Sequence, residues 1–221
     1  MEIREIETYL TSADSQKRLK ALTELKDYDN AIAVPLLVSL LHDPEFIVRS
    51  FVAMGLGRQR NPESFAALLV LIKQDQDYNV RSEAANSLAK YGQIAVPYLL
   101  EMFRWDDHWS VRRSILAAMT QIPDPQALLS LCQCGLTGTD VSVQQVALES
   151  LAFLAGTSQH SEALYQLLAY VTHQQWEMRA CLARALHSFG DTPAKAALNY
   201  LQKDHDHRVV AAALEGVIQP N

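Results

Sequence analysis

The chain has 221 residues, 49% of them apolar, and a formal net charge of −6. That is enough apolar material for a sizeable core in one large domain or two small ones. The eight glycines and eight prolines are too few for a disordered chain or a turn-rich all-β protein. An acidic balance without clustered Lys and Arg argues against a nucleic-acid partner, since affinity for phosphate backbones rests on such clusters. No window approaches the ~18 uninterrupted apolar residues of a membrane span, so no membrane insertion is expected. The opening MEIREIETYL is charged where a signal peptide is apolar. Cys132, Cys134 and Cys181 form no even framework, which points to a reducing cytoplasm. All three read as core cysteines.

Taken in chain order, the pattern predicts a capping helix over 2–11. A first hairpin follows, with helices near Asp14–Lys26 and Ala31–Leu41. Repeat two runs from Pro44 to about Lys73 and opens with DPEFIVRSFVAMGLG. There Asp43 is a candidate cap, Pro44 suits a first turn, and Gly57 reads as a stop. Repeat three starts near Asp77, with a second helix over Ile94–Phe103. The phrase Ala-Val-Pro-x-Leu recurs at Ala33 and Ala95, and predicts a first-turn proline in both second helices. Repeats four, five and six begin at about 107, 140 and 174, and a last helix covers 205–217. Ala155–Ser161 is the place for extra loop.

A Val-Arg pair sets the register. Its arginine column is Arg18, Arg49, Arg81, Arg112, Gln144, Arg179 and Val210, with steps of 31, 32, 31, 32, 35 and 31. A fixed period of this size means stacked helical hairpins. One hairpin is too thin to bury its own apolar face, so stability comes from stacking on neighbours. Val52, Leu56, Ala84, Leu88, Ile115, Met119, Leu182 and Leu186 recur on one stripe and form the predicted core. The expected architecture is all-α: a right-handed α-solenoid of six to seven hairpins in one domain over 1–221. Six residues before members of the column stand Asp43, Asp75, Asp106 and Asp204. Asp43, Asp75 and Asp106 with Arg49, Arg81 and Arg112 therefore form a predicted structural ladder between repeats. It should be interrupted at Gln144 and absent at Val210.

Repeats reading D-P-x-x-x-V-R, with small residues and a closing Leu-Gly, resemble the short HEAT-like repeats first noted in the phycobilin lyases of cyanobacteria and red algae. DPEFIVRSFVAMGLG and DYNVRSEAANSLAKYG carry the resemblance. It implies one of four roles: bilin lyase or isomerase, phycobilisome degradation protein, deoxyhypusine hydroxylase, or protein-binding scaffold. The hydroxylase uses His-Glu pairs, and none occurs in this chain. The resemblance favours a scaffold that binds phycobiliprotein subunits, or a second HEAT-repeat protein, and handles the bilin chromophore. No cofactor is then required, and phycocyanobilin is at most a transient ligand. Any catalysis would be phycocyanobilin lyase-like or chromophore-detaching. The alternative is an interaction adaptor or assembly factor with neither chromophore nor chemistry.

The most unusual local composition is Arg104-Trp105-Asp106-Asp107-His108-Trp109. Carboxylates, a cation and aromatic faces together suit a tetrapyrrole, and exposed aromatics among charges also suit a protein partner. Tyr78 and Trp176 open their own repeats and extend the set. The plainer reading places Asp106 in the ladder and the tryptophans over helix ends. Arg58 and Arg60, on a predicted turn, can bind carboxylates. No metal site is expected: Cys132 and Cys134 point to different faces of one helix, and four ligands are lacking. Asp204-His205-Asp206-His207 is at most a surface cluster.

Overall fold

The computed structural model describes residues 1–218, with helices and no strand among them. The contacts gather into two compact units, 1–122 and 123–221. Each unit is described by itself.

The first unit holds α1 (Ile3–Leu10), α2 (Ser15–Glu24), α3 (Asn30–Val38), α4 (Phe46–Gln59), α5 (Pro62–Gln74), α6 (Tyr78–Ala89), α7 (Val96–Trp105) and α8 (Trp109–Met119). First helices stack in the order α2, α4, α6, α8, and α3, α5 and α7 form a second layer. The second unit holds α9 (Pro125–Leu136), α10 (Val141–Ser150), α11 (His160–Leu168), α12 (Trp176–Leu186), α13 (Thr192–Leu201) and α14 (His207–Ile218). There α10, α12 and α14 stack, with α9, α11 and α13 beside them. Every residue of the predicted stripe, from Val52 to Leu186, is fully buried. The extra loop of the long step does fall after Leu154, where Gly156 adopts φ 75° before α11 starts at His160.

Three local expectations are corrected. Helix α4 starts at Phe46 with Glu45 at its cap position, so Asp43 and Pro44 lie before it. Gly57 is not a stop: α4 runs on to Gln59, and Arg60 ends it in the left-handed conformation at φ 48°. Asn61 then caps α5, its Oδ1 accepting from Ser64 N at 2.8 Å. Gly57 is instead a close-approach position, since a Cβ there would lie 2.5 Å from Ser87 Cβ. The repeated Ala-Val-Pro phrase starts only one helix. Pro97 is in the first turn of α7, whereas Pro35 is inside α3. Asp29 accounts for the difference, because its side chain accepts from Ile32 N and begins α3 a turn earlier.

Candidate interaction edges of the two units

The ladder occupies the turns that precede the first helices. Asp43, Asp75 and Asp106 each have three tasks there. In the first unit Asp75 takes a bidentate guanidinium from Arg49 at 2.6 and 2.9 Å. Its Oδ1 also accepts from Asp77 N at 2.9 Å, and its own carbonyl accepts from Arg81 Nη1 at 3.0 Å. Arg81 pairs forward with Asp106 at 2.6 and 3.1 Å. Arg18 does the same with Asp43, an ion pair at 2.7 Å. In the second unit Arg179 pairs with Asp204 at 2.7 and 2.9 Å. Planar bidentate geometry is what the guanidinium fork and a carboxylate favour.

Charge balance follows from this geometry. Burial pushes the Asp75 carboxyl up, but Arg49 and the Asp77 N–H pull harder and hold it below the ordinary carboxylate range. Arg179 holds Asp204 down directly. The carbonyl half of the ladder persists where the carboxylate half fails. Arg112 Nε donates to Asp106 O at 2.7 Å, with its guanidinium 5.8 Å from the Phe103 ring, and has no carboxylate partner among the described residues. Its membership of the ladder is therefore corrected to a contact with its own turn. Gln144 keeps the same bond, to Gly138 O at 2.7 Å. Position 138 is glycine, so that rung has no acid. A polar cleft of about 610 Å³ opens beside Gln144, lined also by His173 and Gln175.

Within each unit, aromatic side chains stand at one repeat position beside the ladder turns. Tyr78, Trp109 and Trp176 are the first residues of α6, α8 and α12, three before the arginine column. Phe46 holds the same place in α4 and was missed by the sequence reading, although its spacing to Arg49 was available as a signal. Tyr78 and His108 stack face to face at 3.9 Å, and His108 lies 5.7 Å from Trp109. His108 also caps α8, its Nδ1 accepting from Ser110 N at 3.2 Å. Arg113 sits over Trp109 at 5.5 Å. Trp105, the last residue of α7, is 80% exposed. Trp105 and Asp107 line an open cleft of about 280 Å³ with Lys73, Arg81 and Met102. Arg104 and Asp107 are exposed.

Trp176 belongs to the second unit, where Arg208 covers its ring at 3.3 Å. Arg58 and Arg60 are exposed, but Arg58 lies in the last turn of α4 rather than on a turn after it. Cys134 is exposed, not core as expected. Cys132 and Cys181 are buried, and burial pushes both thiols up to about 12. Asp204 and Asp206 are engaged by Arg179 and Arg208, and no cluster of three or more metal-ligating side chains occurs among the described residues. No helix of the described residues is long and apolar enough to cross a membrane.

Comparison with known proteins adds to this geometry. A bilin biosynthesis protein, PecF of Nostoc sp. strain PCC 7120, is 28% identical over 130 residues, covering 54% of this chain and 74% of PecF. The complex of CpcE and CpcF of phycocyanin lyase from the same organism matches at TM-score 0.56 and 21% identity, covering 99% of this chain and 87% of the matched chain. Kap95p in its complex with RanGDP matches at TM-score 0.68 and 14% identity, over 97% of this chain and 35% of the other. At these identities the two structures speak for the fold alone. The sequence model for HEAT repeats matches residues 3–89, 34–120, 65–152 and 128–218. The chain therefore belongs to the HEAT-repeat family.

Proposed function

We propose that the chain is a scaffold that binds phycobiliprotein subunits or a second HEAT-repeat protein, and takes phycocyanobilin as a transient ligand. The contact lies on the first unit, where Tyr78, Trp105, His108 and Trp109 meet Arg104 and Asp107. The single observation that carries this reading is Trp105, a large aromatic left 80% exposed beside an open cleft. Binding energy concentrates in a few aromatic and Arg residues of this kind. The likeness to PecF supplies the chemical context, and the neighbouring lyase structure is itself a complex of two chains.

The test is the double variant Trp105→Ala/Trp109→Ala. Native protein binds isolated phycocyanin subunits or the CpcE or CpcF chain in sedimentation, or shifts the visible spectrum of phycocyanobilin. The variant should bind at least about tenfold more weakly, as expected for two hot-spot residues, while far-ultraviolet circular dichroism stays unchanged. Normal binding by a folded double variant overturns this placement. An unfolded variant makes the tryptophans structural. A native protein that binds none of these partners overturns the phycobilisome reading.

A further inference from the structure

The first unit contains a second candidate site, at the opposite end of α4 from the aromatic edge. Two columns of the repeat, two and five residues beyond the arginine column, are occupied in repeat two by Phe51 and Met54. No other repeat places two large apolar side chains there; the third has Glu83 and Asn86. Both Phe51 and Met54 remain half-buried rather than enclosed. They line a cleft of about 280 Å³ whose walls include the buried Leu22, Leu25 and Leu37. Gly55 lines it too, and a Cβ at that position would come within 2.6 Å of Leu37 Cδ2. The space therefore depends on a glycine and on two apolar residues peculiar to this repeat.

The same cleft is lined by two exposed cations, Lys26 and Arg58. Neither has a carboxylate within ion-pair distance among the described residues. Glu24, the nearby acid, is taken by the amino terminus of Met1 at 3.0 Å. An apolar cleft bordered by two unpaired cations is complementary to an apolar body that ends in an anion.

We propose that this cleft binds a small apolar carboxylate, its ring or branched body against Phe51 and Met54 and its carboxylate between Lys26 and Arg58. This site is separate from the tryptophan edge and does not rest on the function proposed above. The probes are 1-naphthaleneacetate and its uncharged counterpart 1-naphthaleneacetamide, titrated by NMR into the full chain. Naphthaleneacetate should bind saturably, and the amide at least about fivefold more weakly because it lacks the charge. Lys26→Ala/Arg58→Ala alters exposed side chains only and should weaken the acid by a similar factor without changing the amide. Met54→Asn, which gives repeat two the residue of repeat three, should weaken both. Trp105→Ala/Trp109→Ala should leave both unchanged. The proposal is overturned if the acid does not saturate, if acid and amide bind alike, if removing the cations has no effect, or if the tryptophan variant loses binding.

Discussion

The side chains of Arg179 and Asp204 are 5% and 4% exposed, so each would be costly to leave alone. They are not alone. Arg179 also donates to His173 O at 2.6 Å and Gln174 O at 3.0 Å, while Asp204 accepts from Asp206 N at 2.9 Å. A fully satisfied buried network of this kind is rigid, and it is sensitive to loss of a single member. Asp204→Asn should cost about 3–5 kcal/mol at neutral pH, because it leaves a buried guanidinium without its counter-charge. The sign of the pH dependence follows from Arg179, which holds the folded-state Asp204 below its unfolded value. The stabilisation is then fully present above the unfolded pKa of about 3.9 and is lost as pH falls through the folded one. Urea unfolding of wild type and variant should show a gap that closes in acid below about pH 4. A gap that stays constant or widens there would show that the ion pair is not its source.

At the scale of one helix, Gly57 explains how α4 and α6 approach. Its missing side chain leaves room for Ser87, which is fully buried. A Cβ at 57 would lie 2.5 Å from both Ser87 Cβ and Ser87 Oγ, and 3.0 Å from Ser87 Cα. Backbone is among the atoms that must yield. Gly57→Ala should gain about 1 kcal/mol of helix propensity and lose about 1–3 kcal/mol to overpacking. The expected net is a loss of stability, read as a lowered melting temperature. Ser87→Gly in the same chain should remove part of the clash, so the double variant is less destabilised than the sum of the single changes. Simple additivity would show that the two helices do not meet at this point.

For the whole molecule the prediction concerns the two units. The first, 1–122, contains eight helices and a buried set that includes Leu56, Leu88, Ile115 and Met119. Its three Arg–Asp pairs, from Arg18, Arg49 and Arg81, close entirely inside it. Stacked repeats draw their stability from nearest neighbours, and several hairpins in a row suffice. A fragment ending at Ile122 should therefore show helical circular dichroism and one cooperative denaturant transition. A fragment without a cooperative transition would mean that the first unit needs residues beyond Ile122.

The number and order of helices were legible because repetition amplifies a weak local signal: each start has its own capping or turn residues, and the arginine column fixes the spacing between them. The ladder residues were legible for the same reason, since a six-residue interval from Asp to Arg recurs. Local pattern did not decide what lies across from what. It gave a ladder between repeats but not its direction: in the folded chain the guanidinium reaches forward to the aspartate of the next repeat, and its remaining N–H goes to a carbonyl of its own turn. It read Gly57 as a stop because glycine often ends helices, and only the distance to Ser87 reveals a contact between helices. It treated Trp105, Trp109 and Trp176 alike, yet one ring is open to solvent and another lies under Arg208. Spacing along one helix determines which face a residue occupies. What that face meets, and whether it leaves a cleft such as the one at Phe51 and Met54, is set by packing between helices, which a single chain's periodicity does not record.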